Sequence, residues 1–293
     1  MSRVNKTQRM ANARTDKKTT GGRKQKASAR RSSLPRKKRS SKKTKWIHII
    51  VGTLFSVVFI SVAYYLFFRP YLYLLRPCRG EQHYDICMPK GYSLYGIDVS
   101  RHQGRINWER LKEGDGKSAP ISFVYVKATE GSDFTDVMFA ENFAKAKEKG
   151  LIRGAYHYFG KHSSGLAQAQ SFIRRVKLEK GDLPPVVDVE EHPKDKRLFL
   201  QELKIFIAKI EEHYGVKPII YSYKKFKEHY LSDPFFSRYP LWIAHYYVPR
   251  LEEGTEWLMW QCSDRGRIEG VDENVDINIF NGNIEQLKSI LIK

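Results

Sequence analysis

The chain has 293 residues and a formal net charge of +20, from 52 Lys and Arg against 32 Asp and Glu. Residues 1–45 hold 18 of those cations and one acid, Asp16, so this stretch carries +17 and the remainder is close to neutral. Rich in Ser, Thr, Gly and Asn and poor in large apolar side chains, the stretch cannot bury enough surface to offset its ordering entropy. That excludes a packed domain and predicts a disordered tail.

Trp46 to Phe68 follows, 23 residues without Lys, Arg, Asp or Glu. As a helix it would reach about 34 Å, enough for a bilayer core. Trp46 at one end and Tyr64, Tyr65, Tyr71 and Tyr73 at the other suit interfacial aromatic belts. A cleaved signal peptide fits less well, because the apolar stretch is long for a signal core and no small-x-small site follows. A buried core helix also fits less well, since the segment is apolar around its whole circumference. One transmembrane helix over 46–68 is expected, with membrane lipid as its partner. The positive-inside rule then puts the tail in the cytoplasm and the rest outside it, on the periplasmic or cell-wall side. Runs such as Arg36-Lys37-Lys38-Arg39 could neutralise nucleic-acid phosphates, but no aromatic precedes Trp46 to stack on bases. Topology and anionic lipid headgroups are the simpler use of the charge, so no nucleic-acid partner is expected.

Residues 69–91 read as a juxtamembrane linker. Cys78 and Cys87 lie nine apart in it and, in an oxidising space, are expected to form a disulfide. His83 and Asp85 between them do not make a zinc ligand set. Cys262 falls in an apolar strand and is expected to be a buried thiol.

Residues 92–293 suffice for one domain with a real core. Short apolar runs predict strands near 94–98, 121–127, 153–158, 184–190, 218–222, 241–245, 257–261 and 275–279. Helices are expected over 107–112, 136–149, 165–178 and 195–214, with a closing helix near 283–292. In the long helix Leu203, Phe206, Ile207, Ile210 and Tyr214 share one face, and Gly215 ends it. Strands alternating with helices predict a parallel sheet, and eight of them predict a closed barrel. The last three strands are joined by segments too short or polar for packed helices. The expected fold is α/β, an irregular TIM-like (β/α)5(β)3 barrel over 92–293, preceded by the transmembrane helix and the basic tail.

The fourth strand ends Val186-Val187-Asp188-Val189-Glu190. Side chains alternate along a strand, so Asp188 and Glu190 share a face. Two neighbouring carboxyls resist joint ionisation, and such a pair can hold one proton ready for general acid/base work. Barrel chemistry sits at the carboxyl ends of strands, where Asp98 closes the first strand and Asp276 lies in the eighth. If strand 8 closes against strand 1, all four acids converge on one mouth. His102, His157 and His245 lack metal-ligand spacing, and no metal is expected. Lys127 and Glu130 read as a structural ion pair near the mouth.

Gly96-Ile97-Asp98-Val99-Ser100-Arg101-His102-Gln103-Gly104 with Ile106-Asn107-Trp108, Phe123 to Gly131, and Gly154-Ala155-Tyr156-His157-Tyr158-Phe159 come in a particular order. Asp188-Val189-Glu190, Leu241 to Tyr246, Trp260-Gln261 and Val275 to Phe280 continue it. This ordered set resembles glycoside hydrolase family 25, the lysozymes, across about residues 94–281. The resemblance implies an N-acetylmuramidase that cuts the β-1,4 bond between N-acetylmuramic acid and N-acetylglucosamine in peptidoglycan glycan strands, without a cofactor. By position it implies Glu190 as general acid/base and Asp188 as the group that stabilises charge at the −1 sugar, through the substrate's N-acetyl group or by direct contact. Asp98 and Asp276 match the family's other two acids. Tyr156, Tyr158, Trp242 and Tyr246 match groove-lining aromatics. From the residues alone Tyr156 and Tyr158 also fit core filling, and Trp242 fits either a sugar platform or a buried ring. Two further readings stay open: a glycan-binding protein without turnover, and a chitinase-like hydrolase, since substrate-assisted chemistry also uses a D-x-E pair.

Overall fold

The computed structural model describes residues 42–69, 78 and 80–293. The tail before residue 42 and most of the segment between residues 69 and 80 lie outside the described residues. The chain divides into two compact units, the first ending at Leu66. In that unit α1 (Lys42–Ala63) begins four residues earlier than expected and continues through a π-helical turn, Tyr64–Phe68. It is long and apolar enough to cross a membrane. Thr53 and Ser56 donate their hydroxyls to the Ile49 and Gly52 carbonyls one turn back, so the helix satisfies its own polar groups.

The second unit starts with a hairpin that reads in the sequence as linker. β1 (Glu81–His83) and β2 (Ile86–Met88) pair antiparallel around Tyr84-Asp85, both at positive φ. Cys78 and Cys87 are disulfide-bonded with Cα atoms 5.4 Å apart. The hairpin is packed rather than loose: the Tyr84 hydroxyl donates to the Ala119 carbonyl at 2.7 Å, the Arg267 N–H donates to the Tyr84 carbonyl, and Met88 is fully buried against Cys262. It packs against the barrel strand Met259–Gly266 through Met88 and Cys262.

The barrel strands are β3 (Tyr95–Val99), β4 (Ile121–Glu130), β6 (Ile152–Tyr158), β7 (Val186–Asp188), β8 (Ile219–Tyr223), β9 (Leu241–Ala244), β10 (Met259–Gly266) and β11 (Val275–Phe280). A two-residue β5 (Phe134–Thr135) pairs with the end of β4. Pairing runs β3-β11-β10-β9-β8-β7-β6-β4, and β3–β4 closes the ring. Helices α2 (Trp108–Glu113), α3 (Phe139–Glu148), α4 (Gly165–Arg175) and α5 (Lys196–Tyr214) follow the first four strands. The fifth, α6 (Lys224–Tyr230), is absent from the helices expected above: its apolar face is only Phe226 and Tyr230, too sparse to read as a period. α7 (Ile284–Ser289) closes the chain. The (β/α)5(β)3 barrel is therefore present, with one correction to the expected parallel sheet. β11 runs antiparallel to both β10 and β3.

Alternation along the strands builds two cores. Outward residues such as Ile97, Val124, Val126, Val187 and Ile220 pack with the helices. Inward residues Phe123, Tyr125, Val186, Ile219, Tyr221 and Trp242 fill the barrel, with Leu94, Leu183, Phe280 and Leu287 at the amino end of the parallel strands. Two inward positions must be glycine: a Cβ on Gly96 would lie 2.3 Å from the Phe123 ring, and one on Gly154 would lie 2.3 Å from that of Tyr125.

Candidate active site

The plugged barrel leaves its other mouth open as a cavity of about 260 Å³. Asp98, Asp188, Glu190 and Asp276 line it with Tyr156, Tyr158, Trp242 and Tyr246. Asp276 arrives by an unexpected route. It sits at the start of its strand, and only because β11 is antiparallel does that start lie at the mouth, directly opposite Asp98 in the β3–β11 register.

Asp98 is 8 % exposed, and its Oδ2 accepts from Gln261 Nε2 at 2.8 Å and Asn278 Nδ2 at 2.7 Å. Burial pushes its carboxyl up to about 6, against the opposing pull of those two donors. Asp276 has no such donors among the described residues, and burial with the nearby Asp98 charge pushes it up to about 9. Asp188 is raised well above the carboxylate range, by burial and then by the Glu190 charge; its Oδ1 is buried without a hydrogen-bond partner among the described residues. Glu190 is raised by burial and then by Asp98. Four acids crowd a poorly solvated mouth, so some of their protons are retained at neutral pH.

Aromatic side chains complete the walls. Tyr221 and Tyr246 donate their hydroxyls to Gln261 Oε1 at 2.7 and 2.5 Å, which orients the amide so that Nε2 faces Asp98. Trp242 Nε1 donates to Asn278 Oδ1 at 2.9 Å, orienting the second amide likewise. Trp242 is 2 % exposed, with the Tyr125 and Tyr221 rings about 5 Å away, so its faces are covered and it forms part of the floor. Gln261, Asn278 and Tyr221, which line the mouth or bond its acids, are absent from the expected site. Alternation carried their signal: Asn278 is two residues beyond Asp276, on the same face. Lys127, expected as half of a structural pair, also lines the cavity. His157 faces outward between Thr129 and Gln168, 4.7 Å from the Phe206 ring, and burial lowers it to about 4, so it is neutral.

A mouth that keeps protons on some carboxyls and charge on others, inside walls of tyrosine, is suited to breaking an acetal bond, and the chain is a glycoside hydrolase. The family model for glycosyl hydrolases family 25 matches residues 97–271. The chain is 39 % identical over 215 residues to YegX of Escherichia coli K12, covering 73 % of this chain and 79 % of that one. It is 34 % identical over 213 residues to Lysozyme M1 of Streptomyces globisporus, covering 67 % and 71 %. The crystal structure of the bacterial lysozyme from Streptomyces coelicolor superposes with a TM-score of 0.61 at 33 % identity, covering 68 % of this chain and 97 % of that one. The chain belongs to glycoside hydrolase family 25.

Proposed function

We propose that the protein is a membrane-anchored lysozyme that cuts the β-1,4 bond between N-acetylmuramic acid and N-acetylglucosamine in peptidoglycan, with Glu190 as general acid/base and Asp188 as its charged partner. The observation that carries this reading is the convergence of Asp98, Asp188, Glu190 and Asp276 on one tyrosine-walled mouth. In the free protein burial raises both Asp188 and Glu190, and the charge of Glu190 raises Asp188 further, so the pair favours holding a shared proton. A glycan amide N–H donated to Asp188 Oδ1, the unpartnered atom, would stabilise the Asp188 carboxylate and leave the proton on Glu190. Glu190 then protonates the departing sugar oxygen, Asp188 stabilises the positive charge that develops on the ring or its N-acetyl group, and Glu190 next activates water. Tyr156, Tyr158 and Tyr246 line the mouth where sugar rings would lie, and the Asp98 and Asp276 side chains hold its floor and rim.

The helix over Lys42–Phe68 is read as a single anchor, with the basic tail cytoplasmic and the barrel on the wall side. The disulfide supports an oxidising location for the barrel. The test is digestion of purified sacculi by the full chain in detergent. New reducing ends at muramic acid are expected, and Glu190→Gln should abolish them. Release of products from chitin oligomers but not from sacculi would support the chitinase-like reading, and sacculus binding with no product would support a glycan-binding protein.

A further inference from the structure

Among the described residues Lys127 is the single cation lining the cavity. Its side chain is 12 % exposed, and its ammonium lies 2.7 Å from Glu130 Oε2 and 4.8 Å from the Tyr158 ring centroid. Residues i and i+3 of a regular strand face opposite sides, so Lys127 and Glu130 should not meet. They meet because β4 is irregular between Lys127 and Thr129 against β6: Lys127 pairs with Tyr156, whereas Thr129 pairs with His157. The irregularity re-aims Glu130 onto the ammonium, a use of bulges common beside active sites.

We propose that Lys127, seated on the Tyr158 ring and clamped by Glu130, is a positioning residue that holds the Asp188–Glu190 pair at one shared proton. This rests on the reading of that pair given above. Glu130 on its own strand bonds the ammonium, and the carboxyls that share the cavity with it are Asp188 and Glu190 from β7 and the residues after it, Asp98 from β3 and Asp276 from β11. Without a cation, four carboxyls in one mouth would each hold a proton to higher pH, and the pair would become doubly protonated. The Lys127 charge favours the ionised forms of both Asp188 and Glu190. Glu130 both fixes the lysine and attenuates its field.

The two variants therefore act in opposite directions. Carboxyl 13C NMR of the full chain in detergent, labelled on Asp and Glu, reads the two apparent titrations of the pair, assigned with Asp188→Asn and Glu190→Gln. Lys127→Met should move both upward by about one pH unit, and Lys127→Arg should restore them. Glu130→Gln should move both downward by a smaller amount, because the lysine field is no longer attenuated. Unmoved titrations in folded Lys127→Met overturn the proposal. Should that variant fail to fold, Glu130→Gln decides alone, since Glu130 is 43 % exposed at the rim; an unmoved or upward titration there overturns it equally. Wild-type sacculus digestion is assayed in parallel. Its absence sinks the lysozyme reading, whereas the titrations report on Lys127 without substrate.

Discussion

Asp98 and Asp276 stand opposite each other across the antiparallel β3–β11 pair, yet among the described residues two amides donate to Asp98 and none to Asp276. The result is a division between neighbours: Asp98 releases its proton near 6 and Asp276 near 9. At neutral pH one is largely charged and the other neutral, which spares the mouth a direct repulsion across the strand pair.

That division makes stability depend on pH in a definite direction. In the unfolded chain Asp276 ionises at its ordinary value near 4. Folded, it keeps its proton up to about 9. Between those values the native state binds more protons, so this residue costs stability as pH rises through the window, and it costs nothing below it. Asp276→Asn should therefore be more stable than wild type at pH 8, by ~2 kcal/mol or roughly 4–8 °C in Tm, and no more stable at pH 3. Thermal denaturation at the two pH values checks it; equal gains at both would refute the linkage.

Glu190→Gln should keep the mouth and lose the proton donor. We expect sacculus turnover to fall by about 10²- to 10⁴-fold or more with sacculus binding retained, as measured by reducing-end release alongside pull-down. Wild-type turnover in this variant would remove Glu190 from the chemistry.

Gly154→Ala tests the barrel interior. Its new methyl would meet Tyr125, which is fixed by donation to the Pro184 carbonyl at 3.0 Å and by the Trp242 ring 5.0 Å away. Overpacking of this kind costs about 1–3 kcal/mol. Any shift of Tyr125 passes to Trp242 and so to the Asn278 amide that serves Asp98. A lower Tm together with weakened turnover is expected; an unchanged Tm would mean the interior is looser than these contacts require.

Much of the barrel is legible in the sequence because alternation and helical period report burial directly. Val187 and Val189 are fully buried on one face while Asp188 and Glu190 reach the cavity on the other, and Gly215 ends α5 in the left-handed conformation. What stayed hidden was nonlocal or lacked a period. Strand direction leaves no mark on an apolar run, so the antiparallel β11 was invisible, and with it the reason Asp276 reaches the mouth. The amide shell of Gln261 and Asn278 was hidden for a different cause, since a neutral side chain announces no chemistry until its partner is known. The hairpin before β3 read as linker because its two buried anchors, Tyr84 and Met88, are too few to form a pattern.

A buried ion pair fastens the wall behind β6. Arg153 Nε donates to Asp182 Oδ1 at 2.8 Å, its Nη1 donates to the Phe143 carbonyl, and its guanidinium lies 3.8 Å from the Phe143 ring centroid. Both side chains are 6 % exposed. Asp182→Ala would leave the buried guanidinium only the Phe143 carbonyl and Glu179 Oε1 3.7 Å away, at a cost of about 3–5 kcal/mol in denaturant unfolding, with the mouth chemically unaltered. A loss below 1 kcal/mol would show that water reaches the arginine.

Thiol counting tests the covalent arrangement. Cys262 is buried and its thiol is pushed up to about 12, chiefly by burial. Native protein purified without reductant should therefore take up no maleimide, reduced native protein two equivalents, and reduced denatured protein three. Labelling of the unreduced native protein would contradict the Cys78–Cys87 bond.

The strand that carries Asp276 and Asn278 is also the last barrel strand in chain order among the described residues. Asp98 sits in the first barrel strand, and one of its donors lies 180 residues later, on the strand that must slot between β3 and β10 before the ring exists. Closure is thus a contact of long sequence separation and slow to find. Until it forms, Asp98 faces an open edge and the mouth has no eighth wall. A barrel without β11 cannot cut glycan; competence begins when that strand is seated between β3 and β10.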